Sequence, residues 1–158
     1  SPHSKTMDVK RIAAAADWSA LASSLSGRVC YVRFETPTTG RDGWVLGCCW
    51  KMMGKSIIQI DPARVDDDDF LRVFCHEVAH ARLHHADMHN WRSKAAKLAN
   101  GRRLQALPAS EPTAKYYQDE ADADHLAAKW LSWAKTANSL EAKAMTLGAM
   151  AELTPYFK

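Results

Sequence analysis

The chemistry-bearing residues of this chain concentrate in one pentapeptide, His76-Glu77-Val78-Ala79-His80. In a 158-residue chain with seven histidines, chance supplies about 0.01 copies of such an H-E-x-x-H pattern. On a helix, residues four apart share a face and sit about 6 Å apart along the axis. His76 and His80 can therefore turn one ring nitrogen each onto a single ion at about 2.0–2.1 Å. Glu77 is one step round the helix. It does not share their coordination point, but it reaches a water on the same ion, where a carboxylate serves as general base. The bland alternative is a set of charged residues on an amphipathic helix. The apolar neighbours argue against it, because a buried His-Glu-His cluster is costly without a metal.

Two histidines need a third protein ligand. The H-E-x-x-H-x-x-G-x-x-H pattern fails, since Leu83 and Ala86 occupy the Gly and last His positions. His84 shares a face with His80 but lies about 12 Å along the axis from His76. His85 points to the other side, and His89 lies further on with no argued role. A carboxylate from a later helix is the better source. Glu120 and Asp124 are one turn apart, on a face that continues through Ala127, Ala128 and Leu131. Glu120 is the expected ligand. Asp124 is expected to accept an N–H from His76 or His80 and to fix the ring behind the metal. Asp119 and Asp122 read as an exposed acidic first turn that complements the helix dipole. Asp122 is rotated about 200° from Glu120, so helix phase favours Glu120 as the ligand. Zinc is the default ion for two imidazoles and a carboxylate, with manganese as the alternative.

These residues need elements to hold them. Residues 8–25 have apolar positions at helical spacing, and Gly27 suits the stop. Residues 28–35, 43–51 and 55–61 are rich in β-branched, aromatic or Cys residues and are separated by turn residues. They predict three strands in two successive hairpins of a mainly antiparallel sheet. Four acids at 66–69 precede an apolar periodic stretch and read as a helix cap. A calcium loop would need alternating ligands and a Gly. The metal helix is expected over 69–88, a short basic helix over 91–103, and two more over about 113–136 and 138–153. The order is an N-terminal helix, a small sheet, then a helical part, which makes the fold class α+β.

Length and composition set the outer bounds. One domain is expected over residues 7–158, with residues 1–6 a tail or tag remnant. Hydrophobic residues at 47% and charged residues at 25% describe a globular chain and exclude disordered, collagen-like and small disulfide-rich classes. No apolar run approaches the roughly 20 residues of a membrane span. A net charge of +3 does not argue for nucleic acid by itself. Cys30, Cys48, Cys49 and Cys75 form no C-x-x-C pair and read as reduced thiols of a cytoplasmic protein.

The two site segments also carry a family resemblance. Residues 76–85, His-Glu-Val-Ala-His-Ala-Arg-Leu-His-His, resemble the H-E-[IL]-G-H-x-x-L-x-H signature of the ImmA/IrrE-type metallopeptidases. Residues 120–128, Glu-Ala-Asp-Ala-Asp-His-Leu-Ala-Ala, resemble their E-x-E-A-[ND]-x-F-A-A helix, and the E-x-x-x-[ND] part looks like the ligand helix of thermolysin-like (gluzincin) peptidases. The resemblance spans about residues 55–131. Ala79 replaces the family's Gly, Asp122 its second Glu and Leu126 its Phe, and Trp130-Leu131-Ser132-Trp133 replaces its Leu-Leu-x-Pro ending. Were the second acid the ligand, it would here be Asp122, with a shorter reach.

The resemblance implies a zinc-dependent endopeptidase of bacterial or phage origin that cleaves a protein such as a helix-turn-helix repressor. It implies that the strand Ile57-Ile58-Gln59-Ile60 pairs with an extended substrate. Tyr116, Tyr117 and His125 are the candidate donors to an oxyanion. Two other readings compete. The basic segment 92–103 would suit a DNA-associated protease acting on DNA-bound proteins. A non-catalytic metal-binding interaction module would need no Glu77.

Overall fold

Asp17 divides the N-terminal helical stretch in two. The computed structural model describes residues 2–37, 46–61, 65, 69–84 and 111–153, with side chains from residue 9 in the first helix and from residue 117 in the fourth. The first helix, α1, covers Pro2–Ala15 and so includes most of the stretch read as a tail. The second, α2, covers Trp18–Ser26. Asp17 leaves the helical region at φ −81°, ψ 88° and accepts from Ala20 N at 3.1 Å, so α2 starts afresh on a capped turn. The Trp18 indole donates to Ile12 O at 2.6 Å and ties the two helices together. Gly27 ends α2 at φ 72°, as its place in the sequence predicts.

Three strands follow: β1 (Cys30–Phe34), β2 (Gly47–Met52) and β3 (Lys55–Ile60). β2 and β3 form an antiparallel hairpin across Met53 and Gly54, both at positive φ. The expected first hairpin does not form. β1 pairs with β3 in parallel, giving the order β1-β3-β2. The burial pattern supplies the reason. In β3 every residue after Lys55 is buried, whereas β1 alternates and β2 fades into exposure at its end. The most apolar strand takes the centre, covered on both faces and bonded along both edges.

That placement corrects the expected substrate strand. Ile57, Ile58, Gln59 and Ile60 are all buried. Their backbone is shared between β1 and β2, which leaves no edge for a third chain. The Gln59 side chain is also engaged: it accepts from Trp50 Nε1 at 3.0 Å and Cys48 Sγ at 3.2 Å, and donates to Glu35 at 3.1 Å.

The outer edge of β1 meets α2. Cys30 N donates to Ser23 Oγ at 3.0 Å and Val32 N to Ser19 Oγ at 2.9 Å. Two serines one helical turn apart thus satisfy alternate backbone groups where another strand would otherwise sit.

The helix that carries the His76-Glu77-Val78-Ala79-His80 segment, α3, covers Phe70–Arg82. Asp69 stands at its N-cap position, but its side chain makes no capping bond and meets Arg72 Nε at 3.4 Å instead; residues 66–68 lie outside the described residues. α3 also stops six residues short of the expected end. Leu83 caps it, and His84 turns to φ 64°. Two arginines brace this end. Arg28 donates to Ala81 O at 3.4 Å, and Arg82 donates to Ser26 O at 3.3 Å, so the last turns of α2 and α3 hold each other. Residues 85–110, which include the expected basic helix, lie outside the described residues.

The last two helices are α4 (Glu111–Trp133) and α5 (Leu140–Leu153). Ser139, rather than Asn138, caps α5 by accepting from Ala142 N at 3.1 Å. The core gathers α2, α3, α4 and the inner sheet face, with Trp18 edge-on to Phe70 and Phe74 at 4.8 and 5.0 Å. The arrangement is α+β with a mixed sheet. Among the described residues no helix is long and apolar enough to cross a membrane.

Ser23→Ala removes the acceptor that Cys30 N uses at the sheet edge. It should lower the unfolding free energy by about 1–2 kcal/mol, read as a lower urea midpoint with an unchanged slope.

Candidate metal centre

The site forms where α3 packs on α4. α3 presents His76 and His80 from successive turns of one face. α4 presents Glu120 between them, because small buried residues, Ala123 and Ala127, continue its inward face and let the helices approach closely. Glu120 Oε2 lies 3.0 Å from His76 Nε2, and Oε1 lies 3.3 Å from His80 Nε2. The two Nε2 atoms are 3.1 Å apart, with their rings nearly perpendicular. One donor atom from each of the three residues falls within 4.8 Å of the others, a group that could hold a metal ion. Two imidazoles and a carboxylate form a three-ligand set that leaves a coordination position for water or substrate.

Asp124 stands one turn beyond Glu120, with Oδ1 2.8 Å from His76 Nδ1. This contact sets the tautomer of the neutral ring: with Nδ1–H donated to Asp124, Nε2 is the nitrogen left with a lone pair once the ring loses its second proton. Glu77 is only 7% exposed and His80 4%, while His76 and Glu120 keep an opening to solvent. Gly47 of β2 packs against Glu77: a Cβ added there would lie 3.2 Å from Glu77 Cγ.

Electrostatics bind the cluster together. Burial disfavours the charged form of His76, but the hydrogen-bonded Glu120, with Glu77 and Asp124 nearby, outweighs it and lifts its pKa to about 9. Burial likewise opposes the Glu120 carboxylate, yet its bonds to His76 and His80 win and hold it well below the usual carboxylate range. A ring with that pKa carries a second proton at neutral pH, and any cation bound at Nε2 must displace it.

Not every candidate joins the group. Asp122 is exposed and accepts from Gln118 at 2.8 Å, outside the site, in keeping with its helix phase. Tyr117 is exposed one turn before Glu120, His125 is exposed past Asp124, and the Tyr116 side chain is not among those described. His84 lies past the end of α3, exposed and outside the three-residue group, and His85 and His89 are outside the described residues. Asp119 corrects an expectation. It is 5% exposed, on the face that runs on through Ala123, Leu126, Ala127 and Trp130. That i, i+4, i+7, i+8, i+11 series was present in the sequence and marks Asp119 as inward-facing. None of the four cysteines is in a disulfide, and burial raises the pKa of both Cys30 and Cys75, which disfavours their thiolate forms.

Comparisons with known protein families, curated proteins and solved structures return no match to this chain.

His80→Ala should abolish stoichiometric metal binding, and Asp124→Ala should weaken it by about 10–100-fold. Asp122→Ala should leave it unchanged. Metal content after dialysis, together with chelator competition, reads all three.

The raised pKa of His76 sets the pH dependence. From pH 9 down to pH 6 the metal competes with one proton on His76, so affinity should fall by up to about tenfold per pH unit. Above about pH 9 this contribution should vanish. Competition titrations at pH 6, 7, 8 and 9 measure the slope.

Proposed function

We propose that this chain is a zinc-dependent endopeptidase of the cytoplasm that cleaves a specific protein partner, a helix-turn-helix repressor of a bacterium or mobile element. The observation that carries the reading is a buried carboxylate, Glu77, beside the His76–His80–Glu120 group. A purely structural ion needs three or four ligands and no adjacent base. The repressor rests on the sequence resemblance of residues 76–85 and 120–128. The cytoplasmic location rests on four cysteines that form no disulfide, three of them buried.

His76, His80 and Glu120 would hold the zinc ion, which would supply Lewis acidity at the scissile carbonyl. Glu77, buried beside these ligands, would serve as the general base toward an attacking water and as the proton donor to the leaving amine. Asp124 holds His76 so that Nε2 faces the site throughout. The low exposure of Glu77 and His80 keeps bulk water from competing for these contacts and strengthens the electrostatics inside.

Glu77→Gln keeps the side-chain volume and one acceptor but loses the base. It should retain zinc and partner binding, while cleavage falls by about 10²–10⁴-fold. The assay is co-expression with a candidate repressor, scored for fragments on a gel beside a zinc measurement. Wild-type-like cleavage by Glu77→Gln would refute the mechanism. A wild type that binds zinc and repressor without ever cutting it is a metal-bearing binding module instead. Cleavage that requires added duplex DNA would favour the DNA-associated protease.

A further inference from the structure

Glu77 enters the site from the side of α3 that rests on the sheet, and the residue beneath it has no side chain. Gly47 opens β2, paired opposite Ile60. A Cβ added to Gly47 would meet Val73 Cγ1 at 3.1 Å, Glu77 Cγ at 3.2 Å and Gln59 O at 3.1 Å. Val73 and Glu77 are successive turns of the same helix, both buried, with His76 and His80 on the adjoining face. Real Cβ contacts are rarely this short, so an added methyl must push the helix or the Glu77 stem away from the sheet. The third neighbour is backbone of the central strand and cannot give way cheaply. No left-handed backbone explains the glycine, because Gly47 is not among the residues at positive φ.

We infer that Gly47 is a positioning residue for the general base: its missing side chain lets β2 act as the floor against which the Glu77 stem is set. The inference rests on the proposed peptidase reading, and it concerns where the Glu77 carboxylate stands rather than whether metal is held. The ligands hang from the α4-facing side of α3, so a displacement at the sheet-facing side falls on Glu77 first. A reacting group misplaced by 1 Å costs on the order of 100-fold, so a few tenths of an ångström costs several-fold to tenfold.

The test is Gly47→Ala in the full chain, alone and combined with Glu77→Gln. Zinc content and KM should stay within twofold of the starting protein, and kcat should fall by about tenfold. A second reading needs no turnover. A peptide hydroxamate binds the zinc-loaded site partly through its hydrogen bond to the base carboxylate, so Gly47→Ala should weaken its Kd by several-fold. In the Glu77→Gln background, Gly47→Ala should change that Kd no further. Wild-type-like kcat and hydroxamate affinity would overturn the inference, and so would an equal loss in the Glu77→Gln background, which would mean that Gly47 acts on the metal or the fold. If Gly47→Ala does not fold, the same pair of measurements is made with Gly47→Ala/Val73→Ala against Val73→Ala, where one of the three close contacts is gone. If the wild type cuts no peptide, the peptidase reading falls on its own, while hydroxamate binding still decides the role of Gly47.

Discussion

A carboxylate held between two imidazoles inside a largely buried helix interface is the arrangement on which the rest of this structure depends. Removing Glu120, His76 and His80 from water is unfavourable for each of them separately. Together they compensate: the shifts of His76 and Glu120 run in opposite directions because each stabilises the charged form of the other. The balance works only while α3 and α4 stay close enough for hydrogen bonds of 3.0–3.3 Å. Much of the molecule can be understood as holding that distance. Alanines line the buried face of α4, Trp18 wedges against two phenylalanines of α3, and β2 backs α3 from below through a glycine.

The helix phase of the site was legible from the chain because helical period is local information. Four positions, His76, His80, Glu120 and Asp124, required only the spacing of four and the expectation that small apolar residues face inward. Their convergence on one point is what two packed helices with those faces produce. The burial of Asp119 follows from the same rule, but an acid at a helix start also has an ordinary surface role, so the local pattern carries two competing signals there.

Other features were not legible, for different reasons. Strand pairing is not written in the period of a strand: alternation in β1 gives its faces but not its neighbour, and the parallel partner lies beyond β2 in sequence. The apolar run of β3 did carry a hint, since a strand buried on both faces belongs at a sheet's centre. The end of α3 depended on Arg28, more than fifty residues earlier, whose guanidinium reaches Ala81 O. Nothing within residues 83–88 announces a stop. Asp17, in contrast, was a plain local signal, an Asp directly before a helix-forming run, obscured by the continuous alanine-rich spacing around it.

The serines that meet β1 bear on how copies of this protein behave toward one another. A strand with unsatisfied backbone groups along one side is a template, and two such edges from separate molecules can zip together into a growing sheet. Charged or twisted edges are common defences. Here the protection is supplied by side chains of the preceding helix: Ser19 and Ser23 occupy N–H groups that an intruding chain would need. The hydroxyls are attached to an element that must itself unfold before they let go. Resistance to edge-to-edge association on that side is therefore tied to the stability of α2, and should fail only when that helix does.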